Sequence, residues 1–221
     1  MDFTLITEVF IRDFLIWFQI VTAITATIYS WKYSNTDLRY FVLLLWYTVL
    51  NDFVALYYYS KTIDPNNSIL YNIYQVVSFS YFLWLYRRAV QQKNSRRIVT
   101  VFLPLYLLSV AISLSVHDVK SEYLVIPYLV GAGFVLINIV LYFIEILNSD
   151  TIIYINQKLL FWISVALLFL YTGSIPLMVA RHYYSDSPTI PYILNVNYFL
   201  NFLVNLLYIS GIIWSGKDQK D

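Results

Sequence analysis

The chain has no cysteine, only two histidines and five glycines, and charged side chains make up just 12% of its 221 residues. Without cysteine there are no disulfides, thiolate metal sites, iron–sulfur clusters or thiol nucleophiles. Histidine ligation of haem or a di-metal centre needs clustered histidines, whereas His117 and His182 stand far apart with no Glu-x-x-His pattern. Soluble domains carry about a quarter charged residues. Half that fraction leaves room for short loops and tails but for no soluble catalytic, nucleotide-binding or DNA-binding domain. The 14 basic and 13 acidic residues nearly cancel, which removes the basic face that nucleic acid requires. No lysine lies inside an apolar block, so a retinal Schiff base is excluded. The one acid well inside a block, Asp52, is one too few for an aspartyl dyad. There is no glycine-rich phosphate loop and no channel-filter motif. No enzyme activity, cofactor or metal is expected.

What the chain has instead is apolar length: 60% of it is hydrophobic and its mean hydropathy is +0.64. A membrane crossing takes ~20 mostly apolar residues at ~1.5 Å rise, and seven such blocks are present. They run from Phe10 to Trp31, Tyr40 to Ser60, Ile69 to Val90, Ile98 to His117, Tyr123 to Leu147, Leu159 to Arg181 and Pro191 to Trp214. The expected fold is an all-α integral membrane protein, a single seven-transmembrane-helix bundle over residues 1–221. A β-barrel does not fit, because the blocks are twice a barrel strand's length and do not alternate in polarity. A cleavable signal peptide does not fit either, since acidic Asp2 and Glu8 precede the first block.

Short positively charged loops stay cytoplasmic. The odd-numbered connectors and the tail hold ten lysines and arginines and the opposite side four, so the N-terminus is expected outside and the C-terminus inside. Trp31, Trp84, Trp162 and Trp214 then fall near inner helix ends, as an interfacial belt requires. Arg87, Arg88, Lys93, Arg96 and Arg97 form a basic cluster between the third and fourth blocks. It reads as a topology determinant in contact with anionic lipid or, more sharply, as a docking site for a cytoplasmic or membrane protein partner. Leu43-Leu44-Leu45-Trp46-Tyr47-Thr48-Val49 and Leu159-Leu160-Phe161-Trp162-Ile163-Ser164-Val165 match weakly and permit a three-plus-one-plus-three parallel repeat of the kind that carriers use.

Polar residues inside the blocks are the candidates for function, because each is costly unless it faces protein or water. Counting from outer ends at ~1.5 Å per residue, Gln75, Asn197 and Ser174 lie roughly 10 Å deep, and Asp52 and Gln19 roughly 12 to 14 Å. With Asn51, Asn72 and Asn201 they are the expected ligand-binding or coupling residues of an outer-half polar pocket. Asn197, Asn201 and Asn205 recur every fourth residue and share a face. The plainer reading is hydrogen bonding between helices. A carboxyl at Asp52's depth favours its neutral form, whereas Glu145, close to an inner end, is expected to reach the headgroups. Asn138 is a further midspan polar residue. Gly173 to Pro176 in block six and Pro104 in block four are expected kinks.

Two functions fit this pattern: a seven-helix receptor-like or signal-relay module with a small-molecule ligand and a separate partner, or a small-solute transporter. Inner halves rich in Trp46, Phe82, Trp84 and Trp162 favour the first. Abundant Asn, Ile and Tyr point to a low-GC bacterial source, hence an inner membrane.

Overall fold

The computed structural model describes residues 3–61, 66–183 and 190–216. Helix makes up 87% of the structure, and there is no strand among the described residues. Seven α-helices succeed one another: α1 (Phe3–Ile28), α2 (Arg39–Lys61), α3 (Ser68–Ala89), α4 (Lys93–Val116), α5 (Val125–Leu147), α6 (Leu159–Tyr183) and α7 (Ile190–Trp214). Short 3-10 turns lie at Ser30–Lys32 and Asp150–Gln157, the latter interrupted at Tyr154. Of the segments expected to be external, 64–68 and 185–188, residues 64–65 and 185–188 lie outside the described residues, as does the tail at 217–221.

Six helices are long and apolar enough to cross a membrane, and α3 is the one that is not. Its 22 residues would span about 33 Å, but Asn72, Gln75, Ser78, Ser80, Arg87 and Arg88 dilute its apolar content. Two boundaries differ from the sequence expectation. Helix α1 starts at Phe3 rather than at residue 10, and α4 starts at Lys93 rather than at residue 98, so the segment expected as a loop from Gln91 to Arg97 is helical from Lys93 onward. Cations in a first turn oppose the helix dipole. The start is fixed by an acceptor from another helix: Oε1 of Glu145 takes the backbone N–H of Gln91 (2.8 Å) and of Gln92 (3.3 Å). Pro104 and Pro176 sit inside helices that continue through them.

The chain divides into two compact units, Met1–Val49 with Asn156–Asp221, and Leu50–Ile155. In the first, α7 packs against both α6 and α1. Phe14, Phe18 and Phe202 form an aromatic ladder, with Phe18 and Phe202 5.1 Å apart. Gly173 and Gly211 let α6 and α7 approach: a Cβ on Gly173 would lie 2.6 Å from Leu200, and one on Gly211 2.3 Å from Trp162. The turn expected to be soft at Gly173 is therefore a tight packing point.

In the second unit, α3, α4 and α5 each pack against the other two. Phe79 is central, edge-on to Tyr106 (5.5 Å) and Tyr128 (5.6 Å) and lying where Gly131 leaves no room for a side chain. Helices α3 and α5 run side by side in the same direction. Asn72 bonds to residues 119–124 just before α5, Tyr86 meets Tyr142 (6.0 Å), and Gln91 meets Glu145 near its end.

Candidate functional site

Gln19, Ser174, Asn197 and Asn201 fall in the first unit, and Asn51, Asp52, Asn72 and Gln75 in the second. The structure gives several of them specific work. Asn72 is buried, and its amide is fully engaged: Nδ2 donates to the carbonyls of Val119 (3.1 Å) and Glu122 (2.8 Å). Its Oδ1 accepts the backbone N–H of Leu124 (2.9 Å), the residue that caps α5. Gln75 adds Nε2 to the Leu124 carbonyl (3.3 Å) and to Asn72 Oδ1 (3.5 Å). These two side chains thus satisfy backbone groups of the α4–α5 loop, among them the N–H and carbonyl of buried Leu124, which would otherwise be orphaned away from water.

The same loop is tied from outside. Nδ2 of Asn66 donates to the Ser121 carbonyl (2.7 Å), and Nδ1 of His117 pairs with Oε2 of Glu122 at 2.8 Å. Asp118 accepts the Ser121 hydroxyl (2.8 Å) and the Lys120 N–H (3.2 Å). The hydroxyl first, and then the N–H, hold its carboxyl below the usual range.

On α7 the asparagine stripe bonds along its own helix. Asn201 donates Nδ2 to the Asn197 carbonyl and Asn205 to the Asn201 carbonyl, both at 2.9 Å. This consumes donors one turn back. Thr172 is exposed and donates to the Leu168 carbonyl. Ser174 is buried and Asp52 half-buried. Three of the expected residues keep a buried polar atom with no partner: Oε1 of Gln19, Nδ2 of Asn51 and Oε1 of Gln75. These atoms can accept from or donate to a neutral polar ligand. Among the described residues no cluster of three or more acids and histidines could hold a metal ion.

Sequence reasoning missed two arrangements. Lys32 Nζ donates to the carbonyls of Ile212 (3.2 Å), Ile213 (3.0 Å) and Ser215 (2.8 Å), capping the C-terminal end of α7. Partial burial holds its ammonium pKa below the usual 10.5. Beside it, the buried Tyr33 hydroxyl donates to the Ile212 carbonyl (3.2 Å) and meets the Ser215 hydroxyl. The second is Glu145, whose Oε1 accepts the backbone N–H groups of Gln91 and Gln92 just before α4. A lysine after an apolar block and an acid before a connector are cap signals in hindsight, but their targets lie on other helices. Asn138 was visible as a midspan polar residue, yet it is fully buried with neither amide atom partnered. No family model, curated protein or solved structure matches this chain.

Proposed function

We propose that the chain is a seven-helix membrane module, N-terminus outside and C-terminus inside, that binds a small polar ligand and relays its occupancy to a separate partner protein. Support for α3 as the seventh crossing comes from its pairing with α5. The two run in parallel from Asn72 beside Leu124 to Gln91 beside Glu145, so a membrane that α5 crosses is crossed by α3 as well. Its polar side chains are directed at protein: Asn72, Gln75 and Ser78 are all buried. The excess of cations on one set of connectors supports the orientation, and Asn, Ile and Tyr richness supports a bacterial inner membrane.

The observation that carries the binding reading is the unspent hydrogen-bonding capacity of Asn51 and Gln75 within the second unit, because buried polar atoms in a membrane protein find partners or belong to a site. Binding without passage is further supported by the Lys32 cap in one unit and the Glu145 cap in the other, each of which pins helix ends on the proposed inner side. A partner there would meet Arg87 and Arg88 at the end of α3.

A carrier is the second reading, favoured by Asn138, which continues the polar groups past the outer layer. Against it, the compact units group α1 with α6 and α7, and α3 with α4 and α5, across the division that a three-plus-one-plus-three repeat needs.

Purified protein in proteoliposomes, offered a panel of labelled sugars, amino acids and nucleosides with and without an imposed proton gradient, separates the two. The binding reading expects a solute that raises the melting temperature without accumulating. Gradient-driven accumulation that disappears in Asp52→Asn would establish the carrier instead.

A further inference from the structure

The first turns of α4 form a cationic concavity of about 330 Å³, lined by Gln91, Lys93, Arg96, Arg97 and Thr100. Lys93, Arg96 and Arg97 are exposed and enter no ion pair among the described residues. The acid bonded to this corner, Glu145, is turned to the backbone of Gln91 and Gln92. Three cations therefore face a hollow with no neutralising side chain among its lining residues.

The helix surface adjoining this hollow decides its occupant. Residues 93, 96, 97 and 100 lie on the face opposite the packed side, which is made of Ser95, Val99, Phe102, Tyr106, Val110 and Ser113. Beyond Thr100 the same outward face continues as Val101, Pro104, Leu107, Leu108 and Ala111, all exposed. A charged hollow joined end to end with an apolar stripe on a membrane-crossing helix matches a molecule with an anionic head and hydrocarbon tails. A free anion has no use for the stripe, and a protein segment arriving from water cannot reach it.

We propose that this corner is a binding site for one anionic phospholipid, its phosphate held by Lys93, Arg96 and Arg97 and its acyl chains laid along Val101 to Ala111. The site is separate from the ligand-binding residues and leaves Arg87 and Arg88, which do not line the hollow, for a protein partner.

The test is native mass spectrometry of the full chain in detergent, titrated with phosphatidylglycerol, phosphatidylcholine, the chainless headgroup glycerophosphoglycerol, inorganic phosphate and an oligoglutamate peptide. Wild-type protein is expected to bind phosphatidylglycerol in preference to phosphatidylcholine. The double substitution Arg96→Gln with Arg97→Gln is expected to weaken that binding about 30-fold, and Lys93→Gln about 5-fold. All three side chains are exposed, so thermal unfolding should stay at the wild-type temperature. Arg87→Gln with Arg88→Gln is the control and should retain phosphatidylglycerol.

Equal loss in both doubles would show diffuse surface charge in place of a site and overturn the proposal, as would wild-type binding in Arg96→Gln with Arg97→Gln. Displacement of the lipid by equimolar chainless headgroup or phosphate would make this a free-anion site, and displacement by oligoglutamate a protein-docking one. Either result also overturns it.

Discussion

Asn138 has no exposed surface, and neither its amide nitrogen nor its amide oxygen has a hydrogen-bond partner. Two other buried polar side chains in the second unit have defined tasks: Asn72 caps α5, and Tyr106 donates its hydroxyl to the Gln75 carbonyl (3.2 Å). An unpartnered buried amide costs about 1–3 kcal/mol, and replacing it with an apolar group of similar shape returns that cost. Asn138→Leu is therefore expected to leave thermal unfolding unchanged or to raise its midpoint. A clear fall would mean that the amide is held by a ligand or a water, which would favour the carrier reading. The polar residues themselves were legible as interruptions in apolar runs, and the shared face of Asn72 and Gln75 follows from their spacing. Their targets were not, since the carbonyls of Val119 and Glu122 belong to a loop whose path no periodicity describes. Lys32 is the extreme case: its acceptors lie about 180 positions away along the chain, and proximity of that kind is set by packing alone.

At the scale of helices, small residues decide where pairs can approach. Gly131 and Gly133 are two positions apart on α5 and look equivalent in sequence, yet they differ in surroundings. A Cβ on Gly131 would meet the Phe79 ring at 2.7 Å, whereas one on Gly133 meets nothing within 4 Å. Gly131→Ala is expected to destabilise by about 1–3 kcal/mol through overpacking. Gly133→Ala should be neutral or should gain up to about 1 kcal/mol from helix propensity. Unfolding of the two variants side by side checks the α3–α5 contact, since equal effects would mean that Phe79 does not pack there. The helices were legible because apolar runs of the right length leave few other structures available in a bilayer. Their ends were less so. The five residues that α4 gains at its start are polar and cationic, which reads as connector, and the acceptor that holds the two residues before them comes from Glu145 on a different helix.

For the whole molecule the central claim is that α3, the least apolar of the seven helices, crosses the membrane with the other six. Hydropathy alone leaves it out because of its polar residues, of which Asn72 and Gln75 donate to the α4–α5 loop and not to lipid. If α3 crosses, its two ends lie on opposite sides, and the excess of cations on the Arg87 side favours that side as the inner one. The chain is free of cysteine, so single cysteines at Asn67, just before α3, and at Asn94, exposed in the first turn of α4, report position cleanly. With a membrane-impermeant maleimide on intact cells, Asn67→Cys is expected to label at once and Asn94→Cys only after permeabilisation. Labelling of both from the same side would contradict the seven-crossing account, and the reverse pattern would invert its orientation.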